Sequence, residues 1–130
     1  MLLSAVNVAW SYTIDKERRL VTTTAWGTLT ADQVLEHQRK LQNDPAFDPD
    51  FLQLSDFTLV VYLKMDAKTV MELSDIVVFS AKSRRAFIAD NPFHYGMARM
   101  FAAFHKLSGE DQIGVFTTRD EALQWLNVTR

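Results

Sequence analysis

Cysteine is absent from this 130-residue sequence, which excludes disulfides, thiolate nucleophiles and zinc sites with sulfur ligands. Glycine is scarce, with four residues, and none of them belongs to a phosphate-binding loop or a G-x-S-x-G nucleophile elbow. The H-E-x-x-H pattern of helical zinc enzymes is missing too. The absence of these residues and motifs argues against an enzyme, and we expect neither a cofactor nor a metal ion.

Long apolar runs and an excess of basic charge are also missing. No window approaches the ~20 apolar residues of a membrane span, and the opening MLLSAVNVAWSY has no basic leader. The formal charge is −2 and the Lys and Arg residues are scattered, so no basic stripe matches a phosphate backbone. We therefore expect a cytoplasmic protein with no membrane span and no nucleic-acid partner.

The composition is otherwise that of a globular protein, with 48% hydrophobic and 23% charged residues. The length suits one domain over 1–130, and such a chain buries roughly two thirds of its unfolded surface. One hydrophobic core is therefore expected.

Alternating β-rich and helix-like stretches predict the order ββαβαβαβα. The predicted strands are 8–14, 18–29, 51–60, 84–89 and 112–117. The predicted helices are about 31–41, 67–80, 92–107 and 119–127. This order indicates an α/β fold, a single mixed and mostly parallel five-stranded sheet with an N-terminal β-hairpin and about four helices. The second helix ends in IVVFSA, which also fits a strand by pattern, and we predict helix.

Capping residues define the helix boundaries. The predicted N-terminal signals are the capping boxes Thr30–Gln33 and Thr118–Glu121, the cap Asp66, and the pair Asn91-Pro92. Ser108-Gly109 is predicted to end the third helix.

The third helix, which contains FHYGMARMFAAF, has a polar and an apolar side. At ~100° per residue its apolar stripe consists of Met97, Met100, Phe101, Phe104 and Leu107. Tyr95, Arg99 and Lys106 lie opposite, with His94, Ala98 and His105 at one margin. We predict that the stripe is the core face.

Three segments resemble the SpoIIAA-like family of bacterial proteins, which belongs with STAS domains and the CRAL-TRIO lipid-transfer fold. They are WGTLTADQVLEHQRKLQNDPAFDPDFLQLSDFT, RRAFIADNPFHYGMARMFAAF and VFTTRDEALQWL, and the resemblance covers roughly 20–127. It implies one small sheet covered by helices, and it implies no settled activity, since most members are uncharacterised.

STAS proteins that antagonise anti-sigma factors carry a phosphorylated Ser in the turn after the third strand. Here Lys64-Met65-Asp66-Ala67 occupies that turn, and it contains no Ser. The resemblance therefore does not extend to the phosphoacceptor. Asp66 either imitates the phosphorylated form or simply caps the next helix, and the cap is the simpler account.

The carboxyl ends of the strands are where ligands settle in open α/β sheets. The residues expected there are Tyr62, Asn91, His94, Tyr95 and Arg119. His94 lies in the first turn of its helix, where free amides favour an anion. We predict that these side chains hold a small apolar carboxylate.

An apolar surface is the competing prediction. Val78 and Phe79 look too apolar for the outer side of a helix, and Trp10 and Tyr12 look similar in the edge hairpin. Such a surface indicates a protein partner, and a twofold homodimer is the commonest closed arrangement.

Ionisable clusters have simpler explanations than catalysis or metal binding. Asp56 lies in a predicted buried strand, where it is either an acid/base group or a carboxylate held by backbone amides or by Arg84 or Arg85. Asp44, Asp48 and Asp50 share a loop without EF-hand spacing, and so indicate turns rather than calcium. His94 and His105 lie ~16 Å apart along one helix, too far to share a metal.

The leading interpretation is a non-enzymatic interaction or regulatory module that forms a homodimer. The alternative is a carrier or sensor of a small apolar carboxylate or lipid. A third interpretation is an enzyme that uses Asp56 and His94.

Overall fold

The computed structural model describes residues 8–107 and 113–128, and its elements follow the predicted order. They are β1 (Trp10–Asp15), β2 (Leu20–Thr30), α1 (Ala31–Gln42), β3 (Leu52–Lys64), α2 (Ala67–Ser74), β4 (Arg85–Ile88), α3 (Pro92–Leu107), β5 (Ile113–Phe116) and α4 (Arg119–Leu126). None of the helices in these two described ranges is long and apolar enough to cross a membrane.

One five-stranded sheet runs in the order β1-β2-β3-β4-β5. The hairpin of β1 and β2 is antiparallel, and the other three pairings are parallel. The predicted α/β class, the mixed sheet and the four helices are therefore confirmed. β3 runs four residues further than predicted and ends at Lys64.

The two faces of the sheet carry different helices because successive strand residues point to opposite sides. In β4, Ala86 and Ile88 face α4 and form a core cluster with Leu54 of β3. Arg85 and Phe87 point to the other face. Helices α1, α2 and α3 cover that second face, where α1 packs over β1 and β2 while α2 contacts α3.

All four predicted N-terminal caps form, but the return bond from Gln33 in the first capping box does not. The hydroxyl oxygens of Thr30 and Thr118 accept from the backbone amides of Gln33 and Glu121, each at 3.3 Å. The Thr118 hydroxyl also donates to the Glu121 carboxylate at 3.0 Å. The side-chain oxygen of Gln33 is buried without a hydrogen-bond partner, so only the cap half of the first box forms.

The other two predicted caps also form. Asp66 accepts from the amide of Thr69 at 2.9 Å, and Asn91 accepts from the amides of Phe93 and His94. Asp66 is thus an N-cap, as its sequence context favours. The predicted helix end at Ser108-Gly109 lies outside the described residues.

Helix α2 is shorter than predicted, since it ends at Ser74 rather than near residue 80. The carbonyl oxygen of Ser74 forms a 2.7 Å hydrogen bond with Nδ1 of His105. This carbonyl therefore has a hydrogen-bond partner although the helix does not continue for another turn. The chain then runs without helix through 75–80, and the Phe79 side chain enters a core cluster with Val21 and Leu41. Burial of Phe79 decides against the predicted helix.

Helix α3 is rotated relative to its predicted orientation. His94, Met97 and His105 are buried, while Met100 and Phe104 are only half-buried. The histidines therefore belong to the inward face rather than to its margin. The side chains of Met97, Ala98 and Phe101 face a cavity instead of a filled core.

A cavity between the sheet and helices α1, α2 and α3

A cavity of about 130 Å³ lies between the sheet and the three helices on its second face. Inward-facing side chains of β2, β3 and β4 form its floor. Its walls come from α1, from α2 with the segment that follows it, and from α3. The half-buried wall residues Val34, Met65 and Ile76 belong to α1 and to the chain around α2, so the cavity approaches solvent between these elements.

A row of polar side chains crosses this mostly apolar floor. Thr23, Gln53 and Arg85 lie on three neighbouring strands, and the register pairs Gln53 directly with Arg85. The Arg85 Nε donates to Gln53 Oε1 at 3.0 Å, and Gln53 Nε2 donates to the Thr23 hydroxyl at 3.5 Å. That hydroxyl also shares a 2.9 Å hydrogen bond with Nε2 of His37 on α1. The row joins a helix to three strands.

Arg85 places a positive charge at the cavity although only 8% of the residue is exposed. Its guanidinium carbon lies 4.7 Å from the ring centre of Phe79, 5.4 Å from that of Phe87 and 5.9 Å from that of Phe101. Aromatic faces stabilise a cation that has lost much of its hydration. Among the described side chains that line the cavity, Arg85 alone has a permanent charge, and none is a carboxylate.

His37 supplies a neutral imidazole beside this charge. Burial and, to a smaller extent, the positive charge of Arg85 together lower the pKa of His37 from 6.5 to about 4. The rings of Trp10 and Tyr12 meet the imidazole edge-on, at 4.9 and 5.6 Å between ring centres. The His37 imidazole is therefore neutral at pH 7, beside the permanent charge of Arg85.

Gln38 adds an unsatisfied polar atom to the α1 wall. Its side-chain oxygen is buried and has no hydrogen-bond partner, while the residue lines the cavity. A buried acceptor without a partner costs roughly 1–3 kcal/mol.

The five residues predicted to form a pocket at the strand ends are not all part of this cavity. His94 lines the cavity, but the other four lie outside its lining. Tyr62 is exposed, Asn91 caps α3, and the Tyr95 hydroxyl accepts from Arg99 at 3.5 Å. Arg119 pairs with the Asp56 carboxylate at 3.5 Å.

The predicted apolar surface is also corrected. Phe79 is 4% exposed and Val78 is half-buried, and both line the cavity. Trp10 and Tyr12 are half-buried because they pack on His37. The Tyr12 hydroxyl donates to Asp44 at 2.8 Å, and burial together with this carboxylate raises the pKa of Tyr12 to about 12. These four side chains do not form an exposed patch.

Asp56 has structural partners. Its carboxylate accepts from the amide and the hydroxyl of Thr58, at 2.9 and 2.7 Å, and pairs with Arg119 rather than with Arg84 or Arg85. In the loop, Asp44 and Asp48 accept from backbone amides two residues ahead, as turn residues do. Within 8–107 and 113–128, no three His, Asp or Glu side chains are grouped as metal ligands.

Sequence reasoning missed Thr23, Gln53 and Arg85 as site residues. They lie far apart in the chain, and only the strand register brings them together. Two signals were available: Arg85 opens a strand predicted to be buried, and Gln53 stands between apolar residues in FLQL. Polar residues at inward positions of buried strands need hydrogen-bond partners, so they indicate a polar site inside the fold.

Comparison with known proteins supports the architecture. Neither a scan against protein-family models nor a search of curated proteins finds a match. A crystal structure of an uncharacterised DUF3478-family protein from Shewanella loihica, described as having a SpoIIAA-like fold, superposes with a TM-score of 0.62. The two sequences are 19% identical, and the superposition covers 95% of this chain and 98% of that one.

This chain has a SpoIIAA-like fold. The fold expected from the sequence resemblance is thus confirmed over nearly the whole chain. The SpoIIAA-like fold by itself assigns no activity, because one fold can host many unrelated functions.

Proposed function

We propose that this protein is a non-enzymatic binding module that takes a small, mainly apolar anion into the cavity beneath α1, α2 and α3. The observation that carries the proposal is the mostly apolar cavity, in which Arg85 is the permanently charged group among the described lining side chains. Small-molecule sites combine such apolar walls with a few fixed polar groups.

Fixation of the guanidinium supports the assignment of Arg85 as the anion-binding group. Gln53 holds Nε, and the Phe79 and Phe87 rings lie against the guanidinium. A guanidinium presents five donors in a planar fork that matches a carboxylate. Because its orientation is set before binding, little conformational entropy is lost when an anion arrives.

Isothermal titration calorimetry with benzoate and hexanoate tests the proposal. We expect saturable binding to the wild type and a roughly 10- to 100-fold weaker affinity for Arg85→Met, because a charge-assisted hydrogen bond is lost. Arg84→Met is the matched control, since the guanidinium of Arg84 stacks on Trp125 at 4.0 Å and does not line the cavity.

The proposal fails if neither acid binds the wild type, or if the two Arg variants bind equally well. Circular dichroism establishes that Arg85→Met is folded. If it is not, Ala98→Leu replaces it, because Ala98 lines the cavity and a larger side chain there must obstruct the ligand. Unchanged binding by Ala98→Leu also overturns the proposal.

A second candidate function is self-association, and the edge of β3 favours it. β3 pairs with β4 only over Gln53–Asp56 and continues to Lys64 beside β2 alone among the described strands. Leu59 and Val61 on this extension are 61% and 81% exposed. Exposed strand edges with apolar side chains pair readily with another strand, and a second copy would provide one by twofold symmetry.

Analytical ultracentrifugation at tens of micromolar tests the second candidate. We expect a dimer for the wild type and a monomer for Val61→Lys, because a charge on the edge opposes strand pairing. Val77→Lys is the matched control, since Val77 is also exposed but lies in the segment after α2. A monomeric wild type, or a dimer unaffected by Val61→Lys, contradicts this candidate.

A further inference from the structure

His94 is a buried polar residue of α3 that lines the cavity. It lies in the first turn of the helix and is only 8% exposed. Its backbone amide donates to the Asn91 side chain, but neither of its ring nitrogens has a hydrogen-bond partner among the described residues. Buried polar side chains are normally hydrogen-bonded, so this imidazole is an exception that needs an explanation.

Access from the cavity distinguishes His94 from other polar groups without a hydrogen bond. Among the described side chains, the fully buried polar atoms without a partner are the side-chain oxygens of Gln33 and Gln38. The ring nitrogens of His94 do not belong to that set, because they retain accessible surface. Since the residue lines the cavity, a ligand there can reach them.

His94 lies apart from the polar row on the cavity floor. The ring of Phe101, which is two helical turns further along α3, lies 5.9 Å from the Arg85 guanidinium. At about 1.5 Å per residue, His94 and Phe101 are separated by roughly 10 Å along the helix axis. The side chain of Met97, which also lines the cavity, comes between them in the chain. His94 is therefore a separate polar point on a mostly apolar helix wall.

A neutral hydroxyl group is the ligand chemistry that fits this position. An ionised group beside His94 would lie far from Arg85, the permanent charge among the described lining side chains, and burying a charge without a counter-charge is costly. A hydroxyl avoids that cost, and it can accept from the imidazole or donate to it, whichever ring nitrogen carries the proton. The neighbouring Met97 and Phe101 side chains favour an apolar body next to the hydroxyl.

We propose that His94 is a ligand-binding residue whose imidazole hydrogen-bonds the hydroxyl group of a molecule with an apolar body in the cavity. The inference rests on the proposed function, because both require a ligand between the sheet and the helices. It adds that this ligand carries a hydroxyl group apart from its anionic group, and that the hydroxyl lies near the start of α3.

A comparison of benzyl alcohol with toluene isolates the hydroxyl group from the anionic group. The methyl signal of Met65, which lines the cavity, reports the binding of each probe in a ¹H–¹³C NMR titration. We expect the affinity for benzyl alcohol relative to that for toluene to fall roughly 2- to 10-fold in His94→Phe, which is the effect of one neutral hydrogen bond. Met97→Leu is the matched control, since it alters the same helix wall without removing a nitrogen or oxygen atom. Its affinity ratio should equal that of the wild type.

The imidazole of the wild type gives a second readout that does not depend on the folding of a variant. Benzyl alcohol should shift an imidazole ¹⁵N signal of His94, and toluene should not. The ring of His105 is the internal control, because its Nδ1 is hydrogen-bonded to the Ser74 carbonyl and the residue lies outside the cavity lining.

The contrary outcomes separate the inference from the proposed function. An equal affinity ratio in the wild type and in folded His94→Phe overturns the inference, and so do His94 ¹⁵N signals that respond alike to both probes. Failure of both neutral probes to bind, with benzoate still bound, overturns the inference while the proposed function stands. If benzoate also fails to bind, the proposed function and the inference both fail.

Discussion

Acidification should destabilise this protein through His37. The pKa of His37 is about 4 in the folded state because the ring is buried, against 6.5 when it is exposed. As the folded pKa is the lower one, the unfolded chain binds the proton first as pH falls. The stability present above pH 6.5 is therefore lost progressively between pH 6.5 and about pH 4.

The size of the effect follows from these two values. At pH 5 most unfolded imidazole is protonated and most folded imidazole is neutral, so the free energy of unfolding is about 2 kcal/mol lower than at pH 7.5. His37→Gln retains a polar partner for Thr23 but has no titrating ring. We expect the wild type to lose about 2 kcal/mol more than this variant.

Urea denaturation followed by tryptophan fluorescence at pH 7.5 and pH 5.0 measures the difference. Carboxylates whose pKa is lowered in the folded state also contribute less stability as pH falls, and Asp44, which accepts from the Ala46 amide and the Tyr12 hydroxyl, is an example. This loss occurs in both proteins. Their effect cancels in the comparison. Equal losses in wild type and His37→Gln would refute a buried, neutral imidazole at this position.

Two further pairs of substitutions test the backbone and the cavity. Gly27 has a φ of +63° and open space at its Cβ position, so Gly27→Ala should lower stability by about 1 kcal/mol through backbone strain alone. Gly96 lies within α3, also with open space, so Gly96→Ala should raise stability by about 0.5–1 kcal/mol in the same urea assay. Ala98→Leu should raise the melting temperature by filling the cavity, whereas Ala103→Leu on the exposed side of α3 should leave it unchanged in a thermal scan.

Local signals explain why the element order could be predicted. Caps such as Thr30, Asp66 and Thr118 act on amides two or three residues ahead, so sequence spacing suffices to locate them. The end of α2 could not be located in this way. It depends on His105, which is 31 residues away and takes the Ser74 carbonyl.

The cavity could not be predicted because its polar row depends on the strand register. Shifting β3 by one residue would turn Gln53 to the opposite face, and no local pattern fixes that register. The periodicity of α3 located Met97 and Phe101 on its inward face. It did not distinguish a filled core from a cavity, since both present the same apolar stripe.

Methionine methyl groups provide the most direct test of the binding cavity. Met65 and Met97 line it, whereas Met71 is exposed and Met100 lies outside the lining. In a ¹H–¹³C NMR titration of methyl-labelled protein with benzoate, we expect saturable shifts for Met65 and Met97 and none for the other two. Shifts of all four methyl groups to the same extent, or no shift at millimolar benzoate, would contradict a ligand-binding role for the cavity.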